Sequence, residues 1–309
     1  MPDLSIMVNN LVIQFGDFFA VNNISFDVRK GEIFGLLGAN GAGKTTTIRA
    51  LLGIIIPTSG RLNIAGVESS KQTSEAIKRQ VGYMSQKLTI YDDLTVAENL
   101  QLIAGLRKLN HKQFKERSEK ILNMISFNQS QKTLVKELPS GVKQQVSLAA
   151  SAMHDPAIIF LDEPTAGVSP LAREKFWQLI HHFAKEGKTI LVTTHYMDEA
   201  EKCERIALMR AGEIIALDTP KNLKQKIFPY GIFELKPKDA NLTQVLADKW
   251  STLSDIFDLK AYGLRFHAFI HNWERFKLLD HELKKDFEVE NINPSFEDVF
   301  IELVEGQNR

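Results

Sequence analysis

The stretch Gly38-Ala39-Asn40-Gly41-Ala42-Gly43-Lys44-Thr45 constrains this chain most, because it fits G-x-x-x-x-G-K-[ST] and its flanks are as informative as its own residues. Before it, Ile33-Phe34-Gly35-Leu36-Leu37 is apolar throughout and ends in glycine, the pattern of a strand buried on both faces. After it, residues 44–53 carry a helical pattern that Gly53 stops. A buried strand, a glycine loop and a helix start turn successive backbone N–H groups toward one point at the positive end of a helix. Phosphate binds at such a point. Lys44 is then placed to reach β and γ phosphates, and the Thr45 hydroxyl to ligate Mg²⁺. Without its flanks, the same run reads as a glycine-rich turn with a surface lysine.

Farther on, Ile158-Ile159-Phe160-Leu161-Asp162-Glu163-Pro164 is an apolar strand ending in two carboxylates. Open α/β sheets bind ligands at the C-terminal edge of their strands, and that is where Asp162 and Glu163 fall. Asp162 suits the outer shell of Mg²⁺, and Glu163 suits a base that polarises an attacking water. The competing reading is a charge pair opening a helix, since acidic residues favour first turns.

Around these motifs the hydrophobic period alternates. Ile24-Ser25-Phe26-Asp27-Val28 keeps period two, a half-buried strand, with Lys30-Gly31 as the turn after it. Gly60 to Gly66 reads as a short strand pair, and 81–85 as a further strand. Thr95, with Glu98 three residues on, makes a capping box before a helical run, and the helical period repeats over 113–126. A helix ends at 148–153, followed by a buried strand at 157–161, a helix at 170–185, a strand at 189–193, a helix at 197–203 and a strand at 206–209. Strand–helix alternation implies a mostly parallel sheet covered by helices. The helical stretch about 88–155 reads as a subdomain inserted into it. Residues 221–230 look like a linker after Asp218-Thr219-Pro220. Beyond it, strands at 232–236, 255–260, 264–270 and 287–292 with helices at 242–250 and 273–286 resemble a split βαβ unit. Ser295 and Asp298 open a last helix after Pro294.

Composition narrows the function classes. The 309 residues allow one large domain or two modest ones. Lys+Arg and Asp+Glu are both 38, which argues against a surface built as a whole to grip nucleic acid, so no nucleic-acid partner is expected. An apolar fraction of 44% and a charged fraction of 25% are globular values. Cys203 is the single cysteine, which excludes an intrachain disulfide and a multi-cysteine zinc site. Met1-Pro2-Asp3-Leu4-Ser5 lacks the regions of a signal peptide, and no apolar run nears the roughly 18 residues of a membrane span. The expectation is a cytoplasmic chain that meets a membrane only through a partner.

Further residues complete a resemblance. Gln86 follows the strand 81–85, His195 follows the strand 189–193, Phe15 precedes Gly16, and Leu138-Pro139-Ser140-Gly141-Val142 and Ala166-Gly167-Val168-Ser169 come in order between them. Over residues 4–220 the chain resembles the nucleotide-binding subunit of an ABC transporter. The resemblance implies an α/β fold: a P-loop ABC-type domain over 1–220 with a mostly parallel sheet, an antiparallel β subdomain and the inserted helical subdomain. A small α+β C-terminal domain follows over 231–309. It implies ATP and Mg²⁺ as ligands, with Phe15 stacking on adenine. Gly38, Ala39, Asn40, Gly41, Ala42, Gly43, Lys44, Thr45 and Thr46 would cradle phosphate; Gln86, Ser140, Gly141 and Asp162 complete the nucleotide set. Thr45, Gln86 and Asp162 are the implied metal residues, and Lys44, Gln86, Glu163 and His195 the implied catalytic ones.

Two departures stand out. The family signature reads Leu-Ser-Gly-Gly, whereas Pro139 stands here at the serine and Ser140 at the first glycine. Proline removes both a hydroxyl and an N–H donor. Ser169 stands where the D-loop carries aspartate. The resemblance implies that both changes fall on contacts made across a subunit interface, while the chain's own nucleotide set is complete. The Leu-Pro-x-Gly-x-Lys-Gln pattern and the C-terminal Pro-Ser-Phe-Glu-Asp-Val-Phe resemble ATPase subunits of a bacterial exporter branch that moves drugs, lipids or polysaccharides. That implies an ATP-hydrolysing motor, peripheral on the inner face of the membrane, paired with a separate transmembrane permease. A homodimer of ATPase subunits is expected, and a heterodimer is the other arrangement. The competing functions are a non-transport ABC ATPase, acting on ribosomes or in DNA repair, and a nucleotide-gated regulator of low turnover. The tail reads equally as a dimerisation or a regulatory module.

Overall fold

The computed structural model describes residues 3–70, 72–86 and 89–305. The chain divides into two compact units, 1–218 and 219–309.

In the first unit, β1 (Leu4–Phe15) and β2 (Phe18–Arg29) form a long antiparallel hairpin, and β3 (Ile33–Leu37) leads into α1 (Lys44–Leu51). Next come β4 (Ser59–Ile64), β5 (Val67–Glu68), α2 (Ser74–Gln80) and β6 (Val81–Met84). The helical stretch holds α3 (Val96–Leu106), α4 (His111–Met124) and α5 (Ser140–Ala152). The chain then returns through β7 (Ile158–Asp162), α6 (Pro170–Lys185), β8 (Thr189–Thr194), β9 (Arg205–Arg210) and β10 (Glu213–Asp218). One sheet runs β2-β1-β4-β5 and is antiparallel throughout; the other runs β10-β9-β3-β8-β7-β6 and is parallel except for its β10–β9 pair.

Register places the chemistry. Leu37 pairs with Thr194, Asp162 with Thr193, and Met84 with Leu161, so four strands end level at one edge. The residues that leave this edge are Gly38, Gln86, Glu163 and His195. Strands β3, β7 and β8 are buried along their whole length; β3, and β7 up to Leu161, read as unbroken apolar runs for that reason, while β8 carries Thr189, Thr193 and Thr194. Phe34, Leu36, Phe160 and Leu191 of this sheet share a core with Ile6, Val8 and Leu11 of the hairpin, with Ile48 and Leu51 of α1 packed between.

The second unit opens with α7 (Pro220–Ile227) and continues through β11 (Ile232–Pro237), α8 (Thr243–Ser251), β12 (Phe257–Tyr262), β13 (Arg265–Ile270), α9 (Trp273–Leu278), α10 (Asp280–Asp286), β14 (Phe287–Ile292) and α11 (Phe296–Glu305). Its antiparallel sheet runs β12-β13-β11-β14, so β13 lies between β11 and β12, the arrangement of a split βαβ unit. The expected linker over 221–230 is corrected: most of it is α7. Thr219 caps that helix by accepting from the Asn222 N–H, and Pro220 fills the first turn, where a missing N–H costs nothing. Two other expectations shift. The 273–286 helix breaks at Leu279 into α9 and α10, and 197–203 forms a 3₁₀ turn over Met197–Lys202.

Candidate functional site

The loop between β3 and α1 is shaped by close approach. A Cβ on Gly38 would meet the Met209 carbonyl at 2.3 Å, and one on Gly43 would meet the Ala20 carbonyl at 2.5 Å. Only glycine fits either place, and both have positive φ. Ala39, Asn40 and Gly41 are exposed, Ala42 and Gly43 are buried, and Thr45 and Thr46 are half-buried on the first turn of α1. The Lys44 side chain, only 4% exposed, folds back over the loop: its ammonium donates to the Gly38 carbonyl at 2.7 Å and the Ala39 carbonyl at 3.1 Å.

Glu163 is the hub. Its carboxylate is 3.3 Å from Lys44 Nζ, accepts from Gln86 Nε2 at 2.9 Å, and lies 3.2 Å from His195 Nδ1. Its backbone is left-handed at φ 48, and its N–H donates to Thr193 at both the carbonyl (3.1 Å) and Oγ1 (3.0 Å). A positive φ at a bulky residue is strain that surrounding bonds must hold. Asp162, buried beside it, accepts from Thr45 Oγ1 at 3.0 Å and Thr193 Oγ1 at 2.7 Å through the same oxygen. Burial, and then the Asp162 charge, push the Tyr83 phenol up to about 12.

The structure therefore brings together Lys44, Thr45, Gln86, Asp162, Glu163 and His195. Two groups stand apart. Phe15 is 53% exposed at the hairpin turn, opposite Phe18, on the sheet whose Ala20 touches Gly43. Ser140 and Gly141 open α5, with Pro139 as N-cap, and line a cleft of about 740 Å³ with Ser169, Ala172 and Lys175. That cleft includes none of the Lys44–Glu163 group. A Cβ on Gly141 would meet the Ala172 Cβ at 2.8 Å, so Gly141 is also the point where α5 and α6 touch. Ser169 caps α6, accepting from the Ala172 N–H at 3.4 Å.

Residues 21–166 match the family model described as ABC transporter. The chain is 43% identical to the probable multidrug ABC transporter ATP-binding protein YbhF of Escherichia coli (strain K12) over 219 residues, 71% of this chain but 38% of that protein. With the linearmycin resistance ATP-binding protein LnrL of Bacillus subtilis (strain 168) it shares 31% over 260 residues, covering 84% of this chain and 83% of the relative. This chain belongs to the ABC transporter ATP-binding proteins. The Nod factor export ATP-binding protein I of Cupriavidus metallidurans is 36% identical, with 71% of this chain and 72% of that one covered. A solved ATP-binding subunit of an ABC transporter superposes with a TM-score of 0.64 at 26% identity, covering 72% of this chain and 92% of that one. A bacterial ABC transporter cassette solved as a dimer gives 0.62 at 25% identity, with coverages of 69% and 98%.

Sequence reasoning missed one residue of this cassette's site. Thr193 holds both Asp162 and the strained Glu163 backbone. The available signal was three threonines, Thr189, Thr193 and Thr194, in a strand otherwise as apolar as its neighbours; buried hydroxyls need partners.

Proposed function

We propose that the chain is the ATP-hydrolysing subunit of an exporter, binding MgATP on the β3–α1 loop and working as a homodimer on a separate transmembrane permease. One observation carries the reading: a single buried carboxylate, Glu163, meets the loop lysine, Gln86 and His195 within 3.3 Å. Lys44 holds its charge where β and γ phosphates lie, and exchanges carbonyl and carboxylate partners for phosphate oxygens. Glu163 accepts the proton of the water that attacks the γ-phosphorus, and Gln86 and His195, both against Glu163 Oε2, orient the carboxylate. Thr45 and Asp162 present two hard oxygens 3.0 Å apart, a donor set that fits Mg²⁺ when phosphate supplies further oxygens; Gln86 borders it. Mg²⁺ neutralises charge on the β and γ phosphates when bound. Phe15, exposed and flat at the hairpin turn, stacks on the adenine.

The dimer is supported by the resemblance to a cassette solved as one. Export is supported by relatives named for multidrug ABC transport, linearmycin resistance and Nod factor export. Among the described residues no helix is long and apolar enough to cross a membrane; in this reading the chain works on the inner face, attached through its permease. A second reading, a nucleotide-gated regulator of low turnover, is favoured by Pro139, which gives α5 no side-chain cap and no N–H.

Glu163→Gln tests the hydrolysis reading. ATP binding should persist and turnover fall by about 10²-fold or more, because the amide cannot take the proton. Turnover within twofold of the parent removes Glu163 from the base role. Lys44→Ala should instead weaken nucleotide binding, and unchanged affinity counts against the loop assignment.

A further inference from the structure

Beyond the group that meets Glu163, a second set of polar side chains closes a loop behind His195. The His195 ring lies 4.2 Å, centroid to centroid, from the ring of Tyr196. On Tyr196 sits the guanidinium of Arg173, its Cζ 3.9 Å from the ring centroid. Arg173 belongs to the first turn of α6, where its N–H donates to the Ser169 carbonyl at 2.9 Å. From there its Nη1 donates to Asp198 at 3.3 Å, and its Nε lies 3.8 Å from Glu199 Oε1. Glu199 is fully buried, and the same oxygen accepts from Thr165 Oγ1 at 2.6 Å. Thr165 is two residues past Glu163, so the circuit returns to the carboxylate where it began.

Burial explains why the circuit needs an arginine. Glu199 Oε2 and Arg173 Nε have no hydrogen-bond partner among the described residues, so charge attraction over a few ångströms is what each offers the other in a dry place. Lysine supplies a point charge; a guanidinium supplies a flat face for the Tyr196 ring and an edge for the two carboxylates at once. The His195 Nδ1 atom is itself buried and lies near Glu163 without a well-directed hydrogen bond, so the ring's placement comes from its neighbours.

We infer that Arg173 is a positioning residue for His195, clamping the Tyr196–Glu199 turn so that the imidazole faces Glu163. This rests on the hydrolysis reading above. Arg173 touches neither nucleotide nor water in it; it acts through Tyr196. Because Ser169, the N-cap of α6, ends the segment that links Glu163 to α6, the clamp also ties the placement of His195 to that segment.

A double-mutant cycle in the full chain tests it. Arg173→Met keeps the stem and removes the charge. At saturating ATP it should lower turnover about tenfold and leave the KM for ATP within twofold, and in a His195→Ala background it should change turnover by less than twofold. The ¹⁵N-labelled ring signals of His195, assigned by their loss in His195→Gln, should shift in Arg173→Met without added nucleotide. Should Arg173→Met fail to fold, Tyr196→Leu removes the ring, leaves the Arg173–Glu199 pair and runs the same cycle. Equal losses in both backgrounds, or an unmoved His195 signal, overturn the inference. The ring signal needs no turnover, so its result separates failure of the clamp from failure of the hydrolysis reading, which Glu163→Gln reports.

Discussion

At the scale of single residues, the site is a contest over two carboxylates. Asp162 and Glu163 are adjacent in sequence yet serve different neighbours, because the chain leaves β7 at φ 48 and throws the second side chain away from the first. Asp162 stays with hydroxyls, Thr45 and Thr193, while Glu163 meets Lys44, Gln86 and His195. The motif residues were legible from sequence because each loop residue is dictated by a local backbone need. The left-handed turn at Glu163 was not, since Thr193 holds it from 30 residues away. His154 gives a residue-scale prediction. Its Nε2–H donates to the Val81 carbonyl at 3.1 Å, and burial first, then Arg107, lower its pKa from the ordinary 6.5 to about 4. The unfolded chain thus binds a proton near pH 6 that the folded chain refuses, so stability falls as pH drops from about 6.5 to about 4. Thermal melts should show this decline, and His154→Gln should flatten it over that window. A parallel decline in the variant removes His154 as the cause.

At the scale of elements, capping decided what could be read. Thr95 and Glu98 make the capping box expected of α3, with Thr95 Oγ1 accepting from the Glu98 N–H at 3.2 Å and Glu98 accepting from the Thr95 N–H at 2.8 Å. Thr219-Pro220 is an equally good start signal, but too few apolar residues follow for the period to show, so α7 was missed. Helix α2 escaped for the same reason: it is short and mostly polar. Asp298 on α11 carries the element-scale prediction. Its Oδ2 accepts from the Ser295 N–H at 2.8 Å and the Ser295 hydroxyl at 2.6 Å, while Oδ1 pairs with the buried His267 Nδ1 at 3.3 Å. Asp298→Ala removes a cap and leaves His267 without that partner, a loss of about 1–3 kcal/mol. Amides of α11 and β13 should lose hydrogen-exchange protection about tenfold or more, while those of the first unit keep theirs. Uniform loss across both units, or none, contradicts that assignment.

At the scale of the whole molecule, the open question is what the proposed homodimer does with an altered signature. Pro139 is the N-cap of α5, and Ser140 and Gly141 form its first turn, so a partner's nucleotide would meet a helix start without the usual serine. Placing Ser-Gly at 139–140 moves the hydroxyl from 140 to 139 and adds an N–H donor at each composite site, at about 1.5–3 kcal/mol for a bond to a charged group. If those bonds strengthen in the transition state, ATPase rate in a verified homodimer should rise about tenfold. A rate left unaltered there would show that Pro139 and Ser140 already make a working loop. The segment 87–94, which links Gln86 to α3, is proposed to dock on the permease, and it belongs to this scale too. Its first residues, Lys87 and Leu88, lie outside the described residues; Thr89, Tyr91, Asp92 and Asp93 are exposed, and Tyr91, 59% accessible, is the large aromatic among them. Tyr91→Ala should weaken permease association and leave basal ATPase intact; the reverse pattern makes the segment structural.

Sequence alone determined whatever rests on neighbours along the chain. The glycine loop, the buried strands around it, the Thr95 capping box and the strand–helix order of the second unit are all set by local sterics and period. Tertiary structure alone decided which strand ends lie level. The order β10-β9-β3-β8-β7-β6 sets side by side segments far apart in sequence, and only that register brings Gln86, Glu163 and His195 to one edge beside Lys44. Thr193, and the Arg173 contact with Tyr196, are products of the same pairing. A hydroxyl or a guanidinium says nothing about its partner until the sheet has chosen its neighbours, because hydrogen bonds and ring contacts depend on distance in space and not on separation along the chain.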